Sequence, residues 1–247
     1  MKKPVIIVAT ANYSDDESSA DLRKLGAEID SIRNAFFDAE QEGLCEIAPY
    51  FDATVEKIEE AFHQYKDAVI GFHYAGHANG FQLMLQQAAD AGEFAAFLGK
   101  QTQLKFVFLN GCSTRGQVDD LHAEGVPVVM ATSTAINDDV AQQFAEQFYR
   151  RLAEGASIQA AFNSYQDIVS IKQIPKKDLY RGFQVPSAFD DRFPWELYIK
   201  PGAGEIAGWD LPTAAQNPLF GLPPIPPLYD LPARPFRYLH WYGRREA

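Results

Sequence analysis

Apolar positions along the chain follow two alternating rhythms. Short runs rich in Val, Ile and Phe, the mark of strands, are separated by longer stretches in which apolar residues recur every three or four positions, the mark of helices with one buried face. Val5 to Thr10 reads as the first strand. Asp21 to Glu42 follows as a helix with Leu22, Leu25, Ile29, Ile32 and Phe36 on one face, and Gly43 ends it. Cys45 to Tyr50 is a second strand. Thr54 caps a helix running to His63 that turns Val55, Ile58 and Phe62 inward. Strands at Ala68 to Tyr74 and Phe81 to Leu85 and a helix at Ala91 to Leu98 come next. The unbroken apolar run Leu104 to Leu109 then suits a central strand buried on both faces. A small helix from Gln117, a strand at Val126 to Ala131, helices at about Asp138 to Ala153 and Ser157 to Ile171, and a last strand at Trp195 to Ile199 complete the pattern. Strands alternating with helices predict a three-layer α/β domain, a mostly parallel central sheet with helices on both faces.

After Pro201 the rhythm stops. Prolines recur from Leu211-Pro212 through Pro223-Pro224 and Pro226-Pro227 to Pro235, removing backbone donors and forbidding regular helix or central strand. The periodic pattern therefore defines one domain at 1–202 and a Pro-rich extended tail or linker at 203–247.

Composition narrows the function classes. The 247 residues are 47% hydrophobic, enough for one large core, and carry a formal charge of −11. A nucleic-acid surface needs clustered Lys and Arg, so this acidity argues against one, and against an anionic membrane. The opening apolar run ends in polar residues too soon for a signal peptide and reads as a buried strand. No stretch approaches the ~20 apolar residues of a membrane span. Two cysteines without disulfide spacing point to a reducing cytoplasm, where a free thiol stays available for chemistry.

Open parallel sheets present reactive groups at the carboxyl ends of their strands. Two such exits stand out: Gly76-His77-Ala78-Asn79-Gly80 and Asn110-Gly111-Cys112-Ser113. If their strands are neighbours, the His77 imidazole can take the Cys112 thiol proton, and backbone N–H groups at the two turns can hold the oxyanion that forms when a thiolate attacks a carbonyl. On pattern alone Cys112 reads rather as a small buried hydrophobe. Cys45 opens a strand and reads as packing. His73 shares a strand face with His77, but Tyr74 stands where His-Glu-x-x-His needs Glu and the segment is not helical. A buried or supporting role for His73 is expected rather than zinc. His63, His122 and His240 read as surface residues, and Asn110 as a turn residue. Gly92 to Lys100 lacks P-loop spacing, and Gly202-Ala203-Gly204 lacks the helix that dinucleotide binding requires. Ala9 to Tyr13 likewise offers no glycine-rich turn for a nucleotide-binding doubly wound domain.

His73-Tyr74-Ala75-Gly76-His77-Ala78, then Val107-Phe108-Leu109-Asn110-Gly111-Cys112-Ser113-Thr114, then Val126 to Thr132, the helix carrying Phe144 to Tyr149, and Trp195 to Ile199 occur in that order. In these segments the chain resembles the CHAT branch of the caspase-like cysteine peptidases, the clan of caspases, separases and gingipains. The resemblance implies a cysteine endopeptidase acting on protein substrates without metal or cofactor, with His77 as base and Cys112 as nucleophile. The backbone N–H groups of Ala78 and Cys112 would be the oxyanion donors. Caspases usually have Gly where Ala78 stands, a change that a backbone donor tolerates if the loop admits a Cβ. Asp138 and Asp139 are candidates for a specificity pocket favouring a basic side chain, and Arg115 for one favouring an acidic side chain. A non-enzymatic interaction module that keeps the fold is the rival reading. Pro235 to Ala247 is similar to the segment preceding NACHT-type NTPase domains in bacterial signalling proteins, which implies a covalently linked sensor domain beyond residue 247 as partner.

Overall fold

In the computed structural model, residues 3–12, 24–86, 88–172, 176–179 and 193–212 are described. Strand β1 (Val5–Ala11) shows how the sheet is built, since its side chains alternate between two cores. Val5, Ile7 and Ala9 enter one core, and Ile6 and Val8 the other. Strands β2 (Glu46–Tyr50), β3 (Val69–Gly76), β6 (Phe106–Asn110), β7 (Val128–Thr132) and β8 (Trp195–Ile199) join it in the order β2-β1-β3-β6-β7-β8. The first five run parallel, and β8 pairs antiparallel with β7. Between β3 and β6, β4 (Gln82–Met84) and β5 (Ala88–Asp90) form a separate antiparallel ribbon.

Helices α1 (Leu25–Gln41), α5 (Asp138–Ala153) and α6 (Ile158–Ile171) cover one face with Ile29, Ile32, Phe36, Phe144, Phe148 and Phe162. Helices α2 (Val55–Gln64), α3 (Ala91–Gly99) and α4 (Val118–Ala123) cover the other with Ile58, Phe62, Phe94, Leu98 and Leu121. Side-chain caps start α2, α3, α5 and α6. Thr54, Asp90, Asn137 and Ser157 accept from the N–H of Lys57, Glu93, Asp139 and Ala160 respectively, each satisfying a donor the first helical turn leaves open. This is the three-layer α/β arrangement expected from the pattern, with β6 at the buried centre.

Three details depart from that pattern. The helix expected from Gln117 begins as a 3-10 turn at Thr114–Gln117 before α4. β5, with Ala at two of its three positions, carries no strand signature of its own. Residues 203–212, whose Gly and Pro content suggested a tail, pack on the domain. The short helix α7 (Gly204–Ala207) and Leu211 bury Ala207 and Leu211, Trp209 lies against Lys105, and the Ile158 N–H donates to the Trp209 carbonyl at 3.1 Å. The packed unit thus extends at least to Leu211. The remaining tail, with His240 and the segment from Pro235, lies outside the described residues.

Candidate active site

Strand register brings the two predicted side chains to one place. β3 and β6 are parallel neighbours, and Ala75 stands opposite Asn110. His77 and Cys112 each follow two residues later, so they leave adjacent strands at the same level. Both line one small cleft, together with Lys24, Glu28, Gly76, Asn110, Gly111 and Asp138. His77 is 9% exposed, whereas Cys112 is half-buried.

Glycine permits this approach. A Cβ on Gly111 would stand 2.7 Å from the Gly76 carbonyl oxygen and 2.9 Å from the Ala78 Cβ, and one on Gly76 would stand 2.5 Å from the Ala11 carbonyl oxygen. Glycine at 111 thus lets the two turns touch, and glycine at 76 lets the His77 turn lie against β1 and the Tyr74 hydroxyl.

The His77 turn is held from below and from the side. The Tyr74 hydroxyl shares its proton between the carbonyls of His77 (2.5 Å) and Met84 (2.9 Å), and burial pushes the phenol pKa well up, so the proton stays in place. Beyond it, Met84 N–H donates to His77 O and Asn79 N–H to Gln82 O, both at 3.0 Å. The intervening Ala78 faces Leu83 in an antiparallel bridge. In such a pair the flanking residues make the bonds and the central N–H points away from its partner. Among the described residues no acceptor takes the N–H of Ala78 or that of Cys112. The loops also buttress each other. Gln117 Nε2 donates to Asn79 O at 2.7 Å, and the Gly116 backbone approaches Gly80 so closely that a Cβ there would lie 2.8 Å from the Gly80 carbonyl oxygen.

Behind the cleft lies a polar group that sequence reasoning only partly saw. Glu28 is 3% exposed and His73 0%. His73 Nε2 stands 2.9 Å from Glu28 Oε1, at ion-pair distance though not in hydrogen-bonding alignment, and Nδ1 is 3.1 Å from the Tyr149 hydroxyl. Burial, then the Glu28 charge, push the Tyr149 pKa well up and keep it a neutral hydroxyl. Asn110 Nδ2 donates to Glu28 Oε1 at 2.7 Å and to the Ala141 carbonyl at 3.2 Å, while its Oδ1 accepts from Trp195 Nε1 at 3.0 Å. His73 is therefore a buried supporting residue, and Asn110 ties the end of β6 to α1, α5 and β8. Glu28 was missed because its helix was read by its apolar stripe. The available signal was a carboxylate inside that stripe, three residues after Leu25 and four before Ile32.

The specificity candidates separate. Asp138 lines the cleft. Asp139 pairs at 3.1 Å with Lys24, which itself lines the cleft, and Arg115 lies over the Tyr198 ring at 4.5 Å with Asp119 at 3.8 Å; neither candidate is among the lining residues. Among the described residues no group of three or more His, Cys, Asp or Glu gathers as a metal site would. Nor does any helix there have the length and apolarity to cross a membrane.

A family model of the CHAT domain matches residues 2–181. No curated protein matches the chain. Among solved structures it is similar to the Arg-specific cysteine proteinase gingipain R (RGPB). The TM-score is 0.51 at 14% identity, over 81% of this chain and 46% of that one. It is likewise similar to the complex of Porphyromonas gingivalis RgpB pro- and mature domains. There the TM-score is 0.52 at 14% identity, over 85% of this chain and 49% of that one. The shared feature is the caspase-like α/β fold, and the chain spans about half the length of these structures.

Proposed function

This chain belongs to the CHAT domain family, and from that membership we propose that it is a cysteine endopeptidase working through Cys112 and His77. The observation that carries the reading is the β3–β6 register, which delivers an imidazole and a thiol to one cleft beside two backbone N–H groups that have no acceptor among the described residues. His77 takes the thiol proton, and Cys112 Sγ attacks the carbonyl carbon of the scissile peptide. The carbonyl oxygen becomes an oxyanion held by the N–H groups of Cys112 and Ala78. As the intermediate collapses, His77 returns the proton to the leaving amine and a thioester remains on Cys112. Water, deprotonated by His77, then releases the acid and restores the thiol. Asp138, the one specificity candidate in the cleft, suits a basic substrate side chain.

The experiment is labelling of the 247-residue chain with a thiol-reactive peptide, read by mass spectrometry. Cys112 is expected to be labelled, with the reaction lost in His77→Ala. Labelling that ignores loss of His77, or that never falls on Cys112, removes the catalytic pair and favours an interaction module.

We further propose a regulated effector of bacterial signalling or defence, working in the cytoplasm. Its support is the unpaired state of Cys45 and Cys112, which suits a reducing compartment, and the similarity of Pro235 to Ala247 to segments that precede NACHT-type domains.

A further inference from the structure

We propose that Thr132 is a positioning residue for the oxyanion site. Its hydroxyl holds the Gly111–Cys112 peptide plane so that the Cys112 N–H faces the His77 side of the cleft. The inference rests on the peptidase reading above.

Backbone pairing between β6 and β7 ends at Phe108 opposite Met130, although both strands run on. Past that point two carbonyls of the nucleophile strand, Leu109 and Gly111, are served by side chains instead. Thr132 Oγ1 donates to the Gly111 carbonyl, and Thr114 Oγ1 donates to the Leu109 carbonyl at 3.2 Å. Each hydroxyl accepts in turn from the other residue's backbone. Thr132 N–H reaches Thr114 Oγ1 at 2.9 Å, and Thr114 N–H reaches Thr132 Oγ1 at 3.3 Å. The two hydroxyls also lie 3.2 Å apart, and each has one proton; the shortest contact of the Thr132 hydroxyl is the Gly111 carbonyl, so its proton goes there. Both threonines are fully buried, which leaves no place for solvent to substitute.

The consequence falls on one peptide group. In a trans peptide the C=O and the following N–H point in opposite directions. β6 lies between β7 and β3 in the sheet. Capture of the Gly111 carbonyl on the β7 side therefore turns the Cys112 N–H toward the β3 side, where His77 emerges. Glycine at 111 adds no Cβ that would oppose rotation of this plane, so the restraint must come from outside the turn. The next residue, Ser113, sits in the left-handed region at φ 55°, its N–H held by the Thr134 carbonyl at 3.1 Å, so the turn has no slack on its far side.

A hydroxyl that orients the oxyanion donor has a different signature from one that merely stabilises a turn. In the full chain, Thr132→Val is nearly isosteric and loses the donor, whereas Thr132→Ser keeps it. Against a fluorogenic peptide-amide library, Thr132→Val is expected to lower kcat about 10- to 100-fold, with KM held within about twofold. Affinity for a peptide aldehyde, whose adduct places an oxygen in the oxyanion site, is expected to fall by a similar factor. Alkylation of Cys112 by iodoacetamide, which forms no oxyanion, keeps its rate, and Thr132→Ser restores turnover. Thr132→Ala carries the same test if the valine variant does not fold. Wild-type turnover left unchanged by loss of the hydroxyl overturns the proposal alone. So does a variant that loses alkylation and turnover together, or one that serine fails to rescue. A wild-type chain with neither turnover nor Cys112 labelling overturns the peptidase reading, and this proposal with it.

Discussion

The two cysteines of this chain differ because of what surrounds each sulfur. Cys45 is fully buried in the α1 core, and burial, followed by the Glu40 charge, pushes its thiol from the ordinary 9.0 to about 12. Cys112 is half-buried at the mouth of the cleft. At pH 8 iodoacetamide is therefore expected to modify Cys112 in the native protein and Cys45 only after denaturation, which peptide mapping will read. Cys112→Ala is expected to abolish activity with little change in stability. Cys45→Ala keeps activity and costs about 1 kcal/mol through lost packing. A raised pKa also has a sign in stability. The fold holds Cys45 in its protonated form, so its contribution is complete below about pH 9 and is lost as pH rises from there toward 12. In urea titrations across that window, Cys45→Ala should flatten the decline relative to wild type. An unchanged slope would show that other groups govern it.

At the scale of elements, the site depends on pieces far apart in sequence being pinned behind it. Glu28 on α1, His73 on β3, Asn110 on β6, Tyr149 on α5 and Trp195 on β8 meet in one buried polar group. A buried polar side chain stripped of its partner is left unsatisfied, at a cost of about 1–3 kcal/mol, whereas replacing both partners with apolar residues of similar shape costs far less. Glu28→Leu alone and His73→Leu alone are each expected to destabilise by about that amount. The double variant should recover part of the loss, giving a coupling energy on the order of 1–3 kcal/mol in urea unfolding. Simple additivity would mean that the two side chains act separately. Because Asn110 directly precedes Gly111 and Cys112, the Glu28 variant is also expected to lose turnover.

At the scale of the molecule, the catalytic loops brace each other through Gln117 and the Gly80–Gly116 contact. A small displacement of either loop moves both backbone donors, and donors must lie within about 3 Å of the oxyanion to stabilise it by a few kcal/mol. Control of such a site needs no large motion. A linked domain that binds only the aligned state shifts its population by the difference in affinity, roughly tenfold for each 1.4 kcal/mol. We therefore propose that the isolated 247-residue chain turns over an optimised peptide more slowly than any longer natural form supplied with an activating ligand. Equal, ligand-independent rates would refute this control.

Much of the architecture was legible in the residues because burial imposes periodicity. The apolar runs of β1 and β6 mark strands buried on both faces, and the three-four spacing of α1 and α2 states which face meets the core. Strand exits are equally local, so Gly76-His77 and Gly111-Cys112 could be read as reactive turns before their neighbours were known. Strand order, however, depends on which surfaces meet after collapse, and no spacing in the sequence encodes that β3 lies beside β6 or that β8 runs antiparallel. The same holds for polar side chains whose partners lie tens of residues away. Glu28 looks like one more helix carboxylate until His73 and Asn110 close on it, and Thr132 like one more strand threonine until Thr114 arrives. Segment 203–212 lacked any period, yet Ala207 and Leu211 are buried, because a core accepts any apolar group that fits its surface. Local chemistry singles out the candidate nucleophile and base; only tertiary packing brings Cys112 and His77 to one cleft.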